Sequence, residues 1–312
     1  MKPLDGVLVL DLTRLLPGAT ATMMLLDSGA EVIKIEEPGK GDYARSMPPL
    51  IDGEGALFRF TNAGKKSVAL DLKSERGRSA FLGLVERADI VVEGFRPGVM
   101  ERLGLSFDVL SAANPKLIFA SITGYPRDSE RAREAGHDLN YMAAAGLLGW
   151  PPSMPTVQMA DICGGSMMLV REVLLALIER GRTGKGKRID VAMTEGLWPL
   201  AIAPRAFAAA GAVNPLTGAY PCYNLYETAD GEWLAVGALE GQFWREFCAA
   251  ADRREWTDRA FDPLLIEDVR AAMRERSGRE WLAAFAGRDC CVNAVNRIEP
   301  GAIPAEPTPA LG

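Results

Sequence analysis

Residues 7–36 read VLVLDLTRLLPGATATMMLLDSGAEVIKIE, and this stretch decides the fold. Residues 7–12 (VLVLDL) are a short apolar run of strand length. Pro17-Gly18 punctuates the chain, and a helical stretch follows over residues 19–27. Gly29 stops that helix where a left-handed residue is expected, and residues 31–36 (EVIKIE) resume as a strand. Two apolar strands joined through a helix pair in parallel, because the helix carries the chain back to the edge from which the first strand began.

The alternation continues down the chain. Residues 67–71 read as a strand, 75–86 as a helix and 90–93 as a strand, and Asn114-Pro115 marks a turn before the strand 117–123 (LIFASIT). A helix over residues 165–180 and a strand over 188–192 follow. Repeated units of this kind predict an α/β fold, with a parallel sheet covered by helices on both faces. After Asn214-Pro215 the texture changes: residues 223–228 and 233–237 flank the turn Asp230-Gly231 as a hairpin, with helices over 242–251, 266–276 and 279–286. The expected organisation is a large α/β domain over residues 1–200, a linker over 201–220, a small α+β domain over 221–300 and an extended, Pro-rich tail over 301–312.

Composition excludes several classes of function. A net charge of −6 argues against a general nucleic-acid binder, which would be basic. Five cysteines without CxxC spacing, and a start that lacks the pattern of a signal peptide, predict reduced thiols in a cytoplasmic protein. No apolar run approaches the roughly 20 residues that a membrane span requires. One histidine and no paired cysteines argue against a zinc site. The first strand is not followed by GxGxxG, which disfavours a dinucleotide oxidoreductase. Residues 181–187 (GRTGKGK) faintly imitate a P-loop, but Arg188 stands where Ser/Thr is needed and the run lies after a helix and before a strand; it reads as a helix C-cap turn.

The single histidine, His137, lies in GHDLNY at residues 136–141. Imidazole is the side chain whose ordinary pKa lets it both take and give a proton near neutrality. By itself a lone histidine reads as readily as a hydrogen-bonded structural residue. Asp161, in ADICGGSM at residues 160–167, precedes Gly164-Gly165 and a long apolar helix. It reads either as a helix N-cap or as a site carboxylate whose backbone N–H lies near a helix N-terminus. Glu240 reads either as a first-turn carboxylate favoured by the helix dipole or as part of a site.

Seven segments occurring in order resemble the family III CoA-transferases (the CaiB/BaiF family), and specifically their α-methylacyl-CoA racemase branch. They are residues 30–38 (AEVIKIEEP), 62–73 (NAGKKSVALDLK), 93–105 (EGFRPGVMERLGL), 135–141 (AGHDLNY), 160–167 (ADICGGSM), 184–192 (GKGKRIDVA) and 230–243 (DGEWLAVGALEGQF). The resemblance implies an interlocked homodimer with a Rossmann-like large domain and a small domain that carries part of the site. Transferases of the family work through an aspartate, matched by Asp161. Racemases keep it and add a histidine and a glutamate, matched by His137 and Glu240. His137 and Asp161 then serve opposite faces of the α-carbon, Glu240 orients the imidazole, and the backbone N–H of Asp161 suits an enolate oxygen. The resemblance further assigns Lys73, Arg96 and Arg102 to the CoA phosphates, Leu70, Gly94 and Phe95 to adenine and ribose, and Asp138 and Tyr141 to the pantetheine and thioester.

Two departures bear on these assignments. Glu37 stands where the family often has an arginine, leaving Lys40 or Arg45 to supply that charge. After residues 279–300 the family adds more small-domain structure, whereas this chain ends within twelve residues, so a reduced dimer lock and pocket floor are expected. The expected activity is epimerisation at C2 of 2-methylacyl-CoA thioesters through an enolate, with no metal and no cofactor beyond the CoA of the substrate. The alternatives are a CoA-transferase using Asp161 as nucleophile and a CoA-thioester-binding paralogue with little catalysis.

Overall fold

The computed structural model describes residues 1–301 and the strand Thr308–Pro309. The chain forms two units. The first comprises Met1–Ala201 together with Thr308–Pro309. Its strands are β1 (Leu8–Asp11), β2 (Glu31–Glu36), β3 (Lys66–Ala69), β4 (Ile90–Glu93), β5 (Ile118–Thr123) and β6 (Lys187–Ala192). Its principal helices are α1 (Leu15–Asp27), α2 (Glu75–Val85), α3 (Asp138–Ala144) and α4 (Met168–Thr183). The second unit, Ile202–Gly301, contains strands β7 (Tyr223–Glu227), β8 (Trp233–Gly237) and β9 (Val292–Ala294) and helices α5 (Gly241–Ala250), α6 (Ile266–Met273) and α7 (Gly278–Phe285). Thr308–Pro309 is β10.

The large sheet has the order β10-β3-β2-β1-β4-β5-β6 with every pairing parallel. Successive side chains of its central strands point to opposite faces, and both faces are apolar. Val9, Val32, Ile90, Val92, Ile118 and Ala120 pack one way, against Ala21 and Leu25 of α1 and Leu169, Val173 and Ala176 of α4. Leu10, Val91 and Phe119 pack the other way, against Phe81 and Val85 of α2 and Leu110. A sheet buried on both sides is why these strands read as apolar runs rather than as an apolar/polar alternation.

Helix α1 starts earlier than the helical pattern that follows Pro17-Gly18, because Pro17 lies in its first turn, where a missing N–H costs no helix bond. Helix α4 ends at Gly184 with φ of 70°, so the GRTGKGK run is a C-cap turn. The expected helix start at 165 is replaced by a π-helical stretch, Ala160–Met167, that runs directly into α4.

Two buried ion pairs hold the sheet to α1 and to the segment that precedes it. Lys65 Nζ donates to Asp11 Oδ2 (3.1 Å), Ala19 O (2.9 Å), Thr22 Oγ1 (2.8 Å) and Asn62 Oδ1 (2.9 Å). Lys34, the polar intruder in EVIKIE, donates to Thr13 O (2.9 Å) and pairs with Asp42 at 3.1 Å. Burial pushes the Lys65 ammonium down to about 8 against the opposing pull of Asp11.

In the second unit the sheet is antiparallel, in the order β9-β8-β7. Its core is aromatic: Trp244 stacks on Phe247 at 4.9 Å between ring centres, Phe247 on Phe285 at 5.4 Å and Phe285 on Trp281 at 5.7 Å. Residues 202–209, expected within a linker, form a helix. Of the expected extended tail, β10 pairs with Lys66 and Ser67 of β3, and residues 302–307 and 310–312 lie outside the described residues. Among the described residues no helix is long and apolar enough to cross a membrane.

Candidate active site

A sheet with strand order 3-2-1-4-5-6 reverses direction between β1 and β4, and at the carboxyl ends of those strands the following loops part to leave a crevice. The chain uses it. The segment after β1 (residues 12–18), that after β4 (94–97) and that after β5 (124–125) line one cavity of about 930 Å³, joined by Arg102, His137, Asn140, Tyr141, Asp161 and Met193. A neighbouring cavity of about 280 Å³ is lined by Arg14, Glu37, Leu70, Lys73 and Phe95.

His137 and Asp161 reach the large cavity from two elements. His137 stands immediately before α3 in an extended conformation, its backbone N–H donating to Asn140 Oδ1 at 3.0 Å and its side chain exposed. Asp161 occupies the first turn of the π-helical stretch, so the N-cap reading does not apply. That stretch packs tightly on the turn Met193–Gly196: a Cβ on Gly164 would lie 2.4 Å from Met193 O, so only glycine fits. Ser166 Oγ lies 2.6 Å from Pro17 O and 3.1 Å from Asp161 O, tying the stretch to the segment after β1.

Burial pushes the Asp161 carboxyl up to about 6, and the negative charge of Asp138 adds to the rise while His137 opposes it. A carboxyl that titrates near working pH is suited to general acid–base chemistry. The backbone N–H of Asp161, expected to be available to an enolate oxygen, instead donates to Asp138 Oδ1 at 2.9 Å. That N–H is therefore already paired within the protein.

Asp138 and Tyr141 each make a hydrogen bond within the protein. Asp138 is buried at 7% exposure and is spent on the Asp161 backbone. Tyr141 lines the cavity, but its hydroxyl donates to Gly136 O at 2.6 Å. A Cβ on Gly124 would lie 2.4 Å from its ring, so glycine there makes room for the tyrosine. Tyr141 thereby fixes the segment that presents His137. Burial and the Asp161 charge push its phenol up to about 12.

Gly94, Phe95, Arg96 and Arg102 all line the large cavity, whereas Leu70 and Lys73 line the smaller one, with Phe95 shared between the two. Glu37 brings an anion, not a cation, to the smaller cavity. It accepts from Lys73 Nζ at 3.1 Å and lies 3.7 Å from Arg14, and these cations hold its carboxyl below the usual range. Arg45, expected as a substitute cation, is committed to Glu36 (2.8 and 2.7 Å) and to Glu54. Glu240 belongs to the second unit, at the N-cap of α5, where its carbonyl accepts from Phe243 N and Trp244 N and its exposed side chain makes no capping bond. It is a cap residue rather than a first-turn one.

The sequence reading missed Arg14 and the apolar Leu15, Leu16 and Pro17, which wall the large cavity. The signal was their place, directly after the central strand at its carboxyl end. Leu15 adopts φ of 59°, a left-handed conformation that turns the chain sharply there. Among the described residues no cluster of His, Cys, Asp and Glu is arranged to hold a metal ion.

A family model described as CoA-transferase family III matches residues 4–302. The alpha-methylacyl-CoA racemase of Homo sapiens is 35% identical over 322 residues, covering 95% of this chain and 78% of that protein. The acetyl-CoA:oxalate CoA-transferase of Acetobacter aceti is 42% identical over 201 residues, covering 62% of this chain and 51% of that protein. Among solved structures, a CAIB/BAIF family protein from Brucella suis matches with a TM-score of 0.82 at 29% identity, covering 95% of this chain and 84% of that one.

Proposed function

We propose, since the chain belongs to CoA-transferase family III, that it epimerises 2-methylacyl-CoA thioesters at C2, removing a proton from one face of the carbon and returning one to the other. The observation that carries this reading is that His137 and Asp161 line one cavity from separate elements. Inversion needs an acid/base group on each face, and one group alone can only return the proton to the face it left. When His137 takes the proton, protonated Asp161 supplies one from the opposite side, and for the other enantiomer the roles exchange. A carboxyl poised near 6 is accessible in both forms close to neutrality.

Arg96 and Arg102 suit the phosphates of CoA, since the guanidinium fork bonds phosphate oxygens in pairs. Glu240→Gln is expected to slow exchange less than loss of His137 does. A homodimer is also proposed, to be read by sedimentation velocity.

A second reading, CoA transfer through an aspartyl thioester on Asp161, is favoured by the similarity to a CoA-transferase. One incubation separates the two. In D2O with a 2-methylacyl-CoA and no second acid, an epimerase incorporates deuterium at C2. A transferase leaves C2 untouched, moves CoA to an added carboxylate and yields an Asp161 hydroxamate with hydroxylamine. Recovery of that hydroxamate without C2 exchange rules out the first reading.

A further inference from the structure

We propose that the buried Asp138 carboxylate is a positioning residue for Asp161, clamping its backbone and acting on its side chain through like charge. The inference rests on the acid–base reading of Asp161 and adds the device that tunes it. Asp138 follows His137 directly in the chain, opens α3 and is 7% exposed. Its Oδ1 accepts the backbone N–H of Asp161 at 2.9 Å across 23 residues of sequence. The backbones that carry the imidazole and the Asp161 carboxyl are therefore joined by one peptide unit, one short side chain and one hydrogen bond. A spacing built from so few rotatable bonds is preorganised, which proton transfer across a single carbon atom requires.

The same geometry sets the carboxylates of Asp138 and Asp161 close together, Asp138 buried and Asp161 partly buried. Like charges in such a place cannot both ionise freely, and the one not held by a hydrogen bond to its ionised form yields. Asp138 Oδ1 accepts a backbone N–H. Among the described residues no hydrogen bond reaches the Asp161 carboxyl, which is pushed up first by burial and then by the charge of Asp138.

The other groups around Asp161 act differently. His137 opposes the rise, the Tyr141 phenol is pushed up to about 12, and Arg96 acts on Tyr141. Cys163 is the one further titratable side chain of the stretch that carries Asp161. Helix α1, packed on that stretch, has no charged residue before Asp27 at its far end, and Glu195 of the turn Met193–Gly196 lines a different cavity. Asp138 is thus the only fixed negative charge acting on this carboxyl among the described residues.

The test compares Asp138→Asn with Asp138→Ala in the full chain. The asparagine keeps an oxygen to accept the Asp161 N–H and removes the charge, whereas alanine removes both. The first readout is the Asp161 carboxyl titration by carbon-13 NMR of aspartate-labelled protein, assigned by its loss in Asp161→Asn. In Asp138→Asn the midpoint is expected to fall by about one pH unit, the scale of a nearby like charge. The second readout is kcat/KM for C2 exchange of each enantiomer against pH. The acidic limb for the enantiomer deprotonated by Asp161 should move down with the NMR midpoint in Asp138→Asn, and Asp138→Ala should lose kcat in addition. An unmoved midpoint in folded Asp138→Asn overturns the proposal, as does equal kcat in the two variants. Absence of exchange in the wild type would instead overturn the functional reading, and the NMR titration would still decide the role of Asp138.

Discussion

Asp161 illustrates how one residue is set against stability for the sake of chemistry. Its carboxyl is pushed up to about 6 in the folded protein from an ordinary 3.8, so the native state holds that proton more tightly than the unfolded chain does. The contribution is fully present below about pH 4 and is lost as pH rises to about 6, after which the buried anion is a standing penalty. Asp161→Asn removes that penalty. The variant is expected to be more stable at pH 7.5 by about 1–2 kcal/mol, after discounting for partial solvent access, with the gain vanishing near pH 4. Urea unfolding midpoints at the two pH values check this, and the same variant is expected to lose exchange activity by about 10²–10⁴-fold. Arg102, by contrast, is expected to serve binding alone. Arg102→Ala should raise KM for CoA thioesters about 10-fold with kcat nearly unchanged, because a phosphate contact is made equally in ground and transition states. A fall in kcat of the same size would place Arg102 in the chemistry instead.

At the scale of elements, the site depends on a junction that an ordinary helix would not make. The π-helical stretch Ala160–Met167 widens the turn that carries Asp161 and presses Gly164 against the backbone of Met193. Gly164→Ala puts a Cβ 2.4 Å from a carbonyl oxygen that belongs to the next strand-to-helix turn and has little freedom to retreat. The expected cost is about 2–4 kcal/mol, with activity falling because Asp161 is displaced along with the stretch. Thermal denaturation and the exchange assay together check it; a normal melting temperature with normal exchange would mean that the junction adapts. Gly181→Ala, where a Cβ meets nothing within 4 Å, is the matched control and should be close to neutral.

For the whole molecule, the division into two units predicts separable folding. The unit Ile202–Gly301 has its own antiparallel sheet and an aromatic core in which Trp244, Phe247, Trp281 and Phe285 are each no more than 5% exposed. The indole N–H groups of Trp244 and Trp281 each donate to a backbone carbonyl at 2.8 Å, so burial of these two rings leaves neither donor unpaired. Produced alone, residues 202–301 are expected to show a cooperative unfolding transition by tryptophan fluorescence. A broad, non-cooperative change would mean that this core needs the rest of the chain.

The sequence by itself determined the class of fold and the order of its elements, because the hydrophobic period of a segment is a local property. A run such as IVVE at residues 90–93 has no polar face to offer to water and is buried at every position. Gly184 and Asp230-Gly231 end and turn the chain for reasons that lie in their own backbones. The motif residues were legible too, as types. His137, Asp161, Arg96 and Arg102 do converge, for the strand reversal between β1 and β4 gathers the loops that carry them. What only the tertiary structure decided is which atom meets which. No local pattern shows that Asp138, adjacent to His137, spends its carboxylate on a backbone 23 residues away, or that the Asp161 N–H is thereby unavailable. Nor does a pattern show that Glu37 is met by Lys73 and Arg14, or that Arg14 and Leu15 wall the cavity. Hydrogen bonds and charge pairs at these sites join residues distant in sequence, and their energies depend on burial that no single segment supplies. Periodicity is written within a segment, whereas electrostatics is written between segments and exists only once the chain has packed.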